Sequence, residues 1–448
     1  MMKDLKSFIK MVLVLVVPIA LQNLINVGVT AADVLMLGKV SEEVLSGASL
    51  GGQVQFIMTL IYFGLTSGAS VLVAQYWGKK DIVTIEKVLA ISIRISFGVA
   101  VLFTVITFAF PEPIMKLLSS NAQVVEEGVK YLRIVCFSYI FTGLTMVYLN
   151  ILRSVENVVI STFVYLISLI INIIGNALLI FGMAGFPKMG IQGAAIATLF
   201  ARICEFVMVV YYDRRRNKIF KFKLSMLFES DKALTQDFIK FSMPVVINEL
   251  MWGSGVAVVA AIIGQMGSAA SAANSIAQVV RQLAMVLSLG VASAAAIIIG
   301  KTIGEGKLKA AKAYADRLVI ISIITGVLGS AVVMTARPAA LATMTLSDSA
   351  AVNLSAMMFV MSYFVIGQAY NTTMVVGIFR AGGDTKFGLL IDVGFMWCVS
   401  IAFGAIGAFV LGWSVPVVYM ILLSDEIIKL PFTTKRYLSG KWLRDVTR

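Results

Sequence analysis

Twelve stretches of this chain are apolar over roughly the twenty residues that a helix needs to cross a bilayer. That feature leaves few folds open. The runs fall at 11–37, 44–73, 88–110, 128–150, 160–182, 190–212, 238–264, 274–300, 314–335, 351–378, 388–410 and 412–432. Between them they use up the sequence and leave no length for a separate soluble domain. The composition agrees: 59% of the 448 residues are hydrophobic and 14% are charged, against about a quarter charged in soluble domains. The reading is an all-α integral membrane protein with twelve transmembrane helices.

The basic residues give the topology. The chain holds 37 Lys and Arg against 24 Asp and Glu, a net charge of +13. Taken alone, that excess would suggest nucleic acid. Its placement suggests a membrane orientation instead. Alternate connections carry Lys3, Lys6 and Lys10, then Lys79, Lys80 and Lys87, the "DRRRNKIFKFK" run at 213–223, Lys301 to Lys312, Arg380 and Lys386 in the glycine-rich turn "RAGGDTKF", and the C-terminal Lys435, Arg436, Lys441 and Arg444. The other side has little beyond Lys39, Lys116, Lys130, Lys188 and Arg337. The positive-inside rule then puts both termini and the central linker in the cytoplasm of a multi-pass inner-membrane protein. No nucleic-acid partner is expected, and the chain is expected to act as a monomer.

The sequence also repeats itself. Pro18 in "VVPIALQNL" matches Pro244 in "SMPVVINEL" at 244 − 18 = 226. Gly38 and Gly264 give 226 again, as do Gly78 and Gly304, while Arg153 and Arg380 give 227. The expected organisation is an N-terminal six-helix lobe at 1–212, a basic linker at 213–237, and a C-terminal six-helix lobe at 238–448. An even number of spans in each half gives both repeats the same orientation, with their two-fold along the membrane normal, as in transporters.

Several chemistries are excluded by residue type. There is no histidine, so proton chemistry falls to carboxylates. The three cysteines lie far apart in apolar runs, with no disulfide or metal spacing. The "AIIIGKT" stretch at 296–302 lacks the first glycine of a phosphate loop. No enzyme activity and no cofactor are expected, and uphill transport must draw on an ion gradient.

Ionisable residues inside the apolar runs carry the functional signal, because such groups are costly in a membrane. Asp33 in "AADVLMLG" and Glu249 in "MPVVINELMW" are the leading candidates for proton or monovalent-cation binding. Asp392 in "LLIDVGFMW" is a third coupling candidate, although a hydrated helix end or a pairing with Lys386 would also explain it. Pro244, just before Glu249, frees a backbone carbonyl, which membranes tolerate where a cavity is lined. The register partner of Glu249 is an amide, Asn23, at 249 − 23 = 226. Supporting or substrate-lining positions are Asn23, Asn26, Asn172, Asn176, Tyr139, Trp252, Gln368 and Asn371, with Arg281 as a counter-charge. Asn172 and Asn176 are one helical turn apart and share a face. Arg202 and Glu205 are placed to pair with each other. Asp425 and Glu426, with Lys429 after them, favour a structural role.

With these residues in view, the chain resembles the multidrug and toxic compound extrusion (MATE) transporters, in a NorM-like bacterial branch. The resemblance rests on Pro18 with "ADVLMLG", "LRSVEN" at 152–157, "MGIQGAAIAT" at 189–198, "MPVVINELMW", and "FRAGGDTKF" at 379–387. It covers essentially the whole chain. It implies a V-shaped pair of bundles that exports organic cations in exchange for Na+ or H+, with Asp33 and Glu249 as the acids of the two lobes. Asn176 stands where some relatives carry an aspartate, and an acid found in the tenth span of some relatives has no counterpart beyond Gln368 and Asn371. Alternatives are a lipid-linked oligosaccharide flippase, which calls for a cationic cavity, or an ion channel, which would lack exchange stoichiometry.

Overall fold

The computed structural model describes residues 2–229, 231–343 and 346–448. Among the described residues there are helices and no strand. In chain order the helices are α1 (Met2–Gly38), α2 (Glu42–Gly78), α3 (Ile82–Ala109), α4 (Pro111–Leu118), α5 (Ala122–Val135), α6 (Ser138–Ser154), α7 (Val159–Phe181) and α8 (Ile191–Arg215). The second half has α9 (Lys232–Gln265), α10 (Ser268–Gly304), α11 (Leu308–Thr343), α12 (Asp348–Thr372), α13 (Thr385–Phe395), α14 (Ala402–Phe409), α15 (Val415–Leu422), α16 (Asp425–Ile428) and α17 (Leu430–Leu438). Ten of the described spans are long and apolar enough to cross a membrane, and the pair α5 and α6, bent by 55°, makes an eleventh.

The twelfth span, expected as one helix over 412–432, is instead broken into α15, α16 and α17. Proline explains part of the break: Pro431 sits in the first turn of α17, where it needs no backbone donor but cannot continue the preceding turn. The short amphipathic α4 was not expected, because eight residues fall below the length that apolar periodicity resolves.

The helices α1 and α9 run through Pro18 and Pro244. Each proline removes one backbone donor, freeing the carbonyl four residues earlier. Two π turns interrupt the second half, at Thr373–Phe379 and Met396–Ile401. The first accounts for the step in the repeat register from 226 to 227. A π turn takes up an extra residue without ending the helix, and this one lies directly before Arg380.

Contacts divide the chain into two compact units. One comprises Met1–Ala20, Ser70–Lys80 and Lys240–Arg448; the other comprises Leu21–Ala69 and Asp81–Ile239. Within the first unit, the end of α2 packs against the end of α10 at register-paired residues. Ala74 and Gly300 face each other (300 − 74 = 226), and a Cβ on Gly300 would come 2.7 Å from that of Ala74. A Cβ on Gly78 would strike the Lys301 carbonyl, and one on Gly304 would strike the Gln75 carbonyl. Since 301 − 75 = 226 as well, these contacts are related by a local two-fold. Gly304→Ala is therefore expected to cost about 1–3 kcal/mol by overpacking, read as a lower melting temperature in detergent.

The C-terminal segment closes over this crossing. The fully buried Gln75 donates Nε2 to the carbonyls of Ala381 (2.8 Å) and Arg444 (3.1 Å), and its Oε1 accepts from the Val446 amide at 2.8 Å. Trp442 is fully buried and stacks on Tyr437 at 5.6 Å between centroids. Lys79 pairs with Asp445 at 3.4 Å. Burial raises the Asp445 carboxyl, but hydrogen bonds from Thr447 and the charge of Lys79 outweigh that and hold it below its ordinary value. Gln75→Leu strands three backbone groups and is expected to cost about 2 kcal/mol. It should also speed tryptic cleavage at Lys441 and Arg444 relative to the parent protein.

The core of the second half is conventional packing. Met357, Met358 and Met361 are fully buried together with Ile263, Leu354 and Tyr419, so these methionines fill space between helices.

Candidate functional site

The first repeat builds its polar site from α1, α7 and α8. Asp33 is on α1, and Asn172 and Asn176 share one face of α7. Asn176 donates Nδ2 to the Asp33 carboxylate at 2.6 Å and to the Asn172 Oδ1 at 3.3 Å. Asn172 in turn donates to the Thr198 hydroxyl on α8 at 3.4 Å. The Asn176 Oδ1 is buried and has no partner. The Asp33 carboxylate and the open oxygen of the amide bonded to it are both oxygen donors, the type that suits a proton or a hard monovalent cation. Arg202 and Glu205 pair on α8 at 2.7 Å, as their spacing predicts. Of the other expected residues, Asn23 is half-buried and Asn26 exposed on α1, while Tyr139 is fully buried.

The second repeat carries a larger network. Glu249 on α9 accepts a hydrogen bond from Arg380 Nη2 at 2.8 Å, with side chains 12% and 4% exposed. The register partner of Arg380, Arg153, instead donates to an amide, Gln22, at 3.3 Å. The repeats thus share an arginine in this place, and only the second gives it an acid. Beside this pair, Asn248 donates Nδ2 to Asp392 at 3.3 Å. Asp392 also accepts from Lys429 at 3.2 Å, and Lys429 reaches Asp425 at 3.0 Å and Glu426 at 3.4 Å. Ser400 donates to Asp425 at 3.2 Å, and Asn371 donates to the Glu426 carboxylate at 3.0 Å. Arg281 donates Nε to Gln368 at 2.9 Å. Trp252 lies exposed on α9.

Sequence reasoning named most of these residues but missed three connections. Arg380 was read as part of a glycine-rich turn, although its register partner Arg153 marked it as a repeated feature. Lys429 was set aside, although residues 425, 426 and 429 lie three and four apart and so share a helix face. Asn248 was passed over next to its charged neighbour. Asp392 pairs with Lys429, not with the Lys386 considered from sequence.

Two surface cavities are lined by none of these acids. One, of about 510 Å³, is lined by Glu112, Lys116, Glu126, Lys130 and Arg133. The other, of about 560 Å³, is lined by Arg337, Ser355 and Phe359.

Two copies of one six-helix repeat, each with buried acids inside apolar helices, define a polytopic membrane transporter. The MatE family model matches the chain over residues 18–178 and 244–406, one match for each repeat and beginning at the paired prolines. The chain belongs to this family. The uncharacterized transporter YisQ of Bacillus subtilis is 21% identical over 413 residues, covering 92% of this chain and 90% of its own. A Thermotoga maritima protein named as a probable multidrug resistance protein, NorM, is 24% identical over 442 residues, covering 98% and 93%. Among solved structures, a MOP superfamily transporter from Pyrococcus furiosus superposes with a TM-score of 0.87 at 17% identity, over 96% of each chain. An outward-facing multidrug resistance MATE family transporter gives the same values. At that identity the likeness speaks for the fold.

Proposed function

We propose that the protein is a secondary active multidrug exporter that exchanges cationic amphiphilic drugs or dyes for Na+ or H+ by alternating access. The observation that carries this reading is the placement of Asp33 and Glu249. Each is a carboxylate within an apolar helix, and Asp33 accepts a hydrogen bond from Asn176, whose own amide oxygen has no partner. A cation or proton arriving from outside neutralises the acid and weakens its hold on a cationic drug, so competition for one charge couples the two fluxes. The repeats alternate exposure to either side, and both termini lie in the cytoplasm of the inner membrane. The transporter works as a monomer. The names of the NorM relatives agree with a drug-like substrate.

The flippase alternative calls for arginines gathered around a pyrophosphate. Arg94 is engaged by the Glu229 carbonyl at 3.1 Å, Arg133 shares a pocket with two glutamates, and Arg281 is held by Gln368. These placements favour an organic cation over a pyrophosphate. The test is efflux of a cationic dye from proteoliposomes with sodium and proton gradients imposed separately. Efflux driven by at least one gradient is the expected result; efflux that ignores both sinks the exchange reading.

A further inference from the structure

We propose that Lys429 is a tethered counter-cation, filling the position that a free monovalent ion would take among Asp392, Asp425 and Glu426, and so determines the ion specificity of the second repeat. This deepens the exchange reading above and rests on it.

The geometry is that of an ion in a cage. Lys429 is 4% exposed, and its ammonium has three donors and no acceptor. It donates a hydrogen bond to Asp392 at 3.2 Å and lies 3.0 Å from Asp425 and 3.4 Å from Glu426. An ammonium is a compact point charge, close in kind to a small monovalent cation. Being covalently attached, it competes at a high effective concentration against ions in solution.

The chain geometry supports this placement. The break before α17 confines α16 to a single turn, Asp425–Ile428, and this turn carries both acids with the lysine directly after it. Asp392 arrives from α13, Ser400 from the second π turn, and Asn371 from α12.

Charge counting shows what the lysine does. The groups facing one another here are four carboxylates (Glu249, Asp392, Asp425 and Glu426) and three cations (Arg281, Arg380 and Lys429). One negative charge is in excess, and removing the lysine raises the excess to two. Uncompensated buried charge is strongly unfavourable, so a site stripped of its lysine must recruit a mobile cation. An independent feature points the same way. Asn248 is 5% exposed, donates Nδ2 to Asp392, and leaves Oδ1 on the same amide without a partner. A buried amide with an open acceptor is thus bonded directly to Asp392, one of the three acids around the lysine.

The test uses the full chain in an Asp33→Asn background, which removes the first repeat's acid from the comparison. Melting temperature is measured in about 0.1 M sodium chloride and in potassium chloride of equal ionic strength, so that screening is matched. The Asp33→Asn protein sets the baseline difference between the two salts, including any response that Glu249 retains. Adding Lys429→Met is expected to create a sodium-specific rise of about 4 °C. Lys429→Arg keeps the charge and should create none. Restoring the count with Lys429→Met and Asp425→Asn together should abolish most of the sodium response. Equal melting of the Lys429→Met protein in both salts overturns the proposal, as does a sodium response that is as large with Lys429 in place as without it. Failure of Lys429→Met to fold in sodium also overturns it, because sodium should then supply the missing charge. None of these outcomes depends on dye efflux, so the exchange reading stands or falls separately.

Discussion

Arg380→Ala is expected to destabilise the protein by about 3–5 kcal/mol, the usual cost of removing one partner from a buried ion pair. The loss arises because Glu249, 12% exposed and bonded to Arg380 at 2.8 Å, would keep its charge with no partner on that side. The prediction has an internal control. Arg380→Ala combined with Glu249→Gln removes both charges and should recover much of the loss, since a neutral amide is far cheaper to leave in place. A double-mutant cycle on melting temperature reads this directly. If Arg380→Ala and the double variant are equally unstable, the cost comes from packing of the arginine against its turn and not from the stranded acid. In the first repeat, Arg153 faces Gln22, so Arg153→Ala strands no charge and should cost less.

Asp33→Asn is expected to reduce ion-driven efflux of a cationic dye at least tenfold, equivalent to about 1.4 kcal/mol or more of coupling. The substitution is nearly isosteric, so the helix and its contact with Asn176 at 2.6 Å should survive. What is lost is the negative charge for which drug and ion compete. Asn176→Ala is the companion experiment. It deletes the buried Oδ1 that has no partner, together with the hydrogen bond to the acid. It should weaken ion binding while leaving the acid able to hold a cationic drug. Efflux of Asp33→Asn at the parent rate and ion dependence would remove Asp33 from the coupling scheme.

The scaffold was legible in the sequence because a bilayer demands long apolar helices, and because duplication leaves a fixed offset. That offset alone paired Gly78 with Gly304, which the structure brings into close contact where α2 crosses α10. It also carried a one-residue step at Arg380, and the π turn before that residue supplies the physical reason. The broken twelfth span was not legible, since a run of apolar residues looks the same whether or not proline and short turns divide it.

Individual acids were legible for a similar reason, because a lone carboxylate in an apolar helix stands out. Their partners were not. Glu249 meets Arg380 across 131 residues and Asp392 meets Lys429 across 37, contacts that no local periodicity encodes. Asp425 and Glu426 illustrate the gap most plainly. From sequence they read as structural with Lys429 after them, and both pair with that lysine; what the sequence did not give is that the same lysine also reaches Asp392.

Competition between drug and ion for the same carboxylates is the central claim, and linkage makes it measurable at equilibrium. The affinity of the purified protein for a fluorescent organic cation should be titrated at a series of sodium concentrations and, separately, of proton concentrations, with ionic strength held constant. Coupling is reciprocal, so the apparent Kd must rise steadily with the coupling ion, and the dependence must vanish when Asp33 and Glu249 are both neutralised. A Kd that stays constant across both titrations would contradict exchange at these acids.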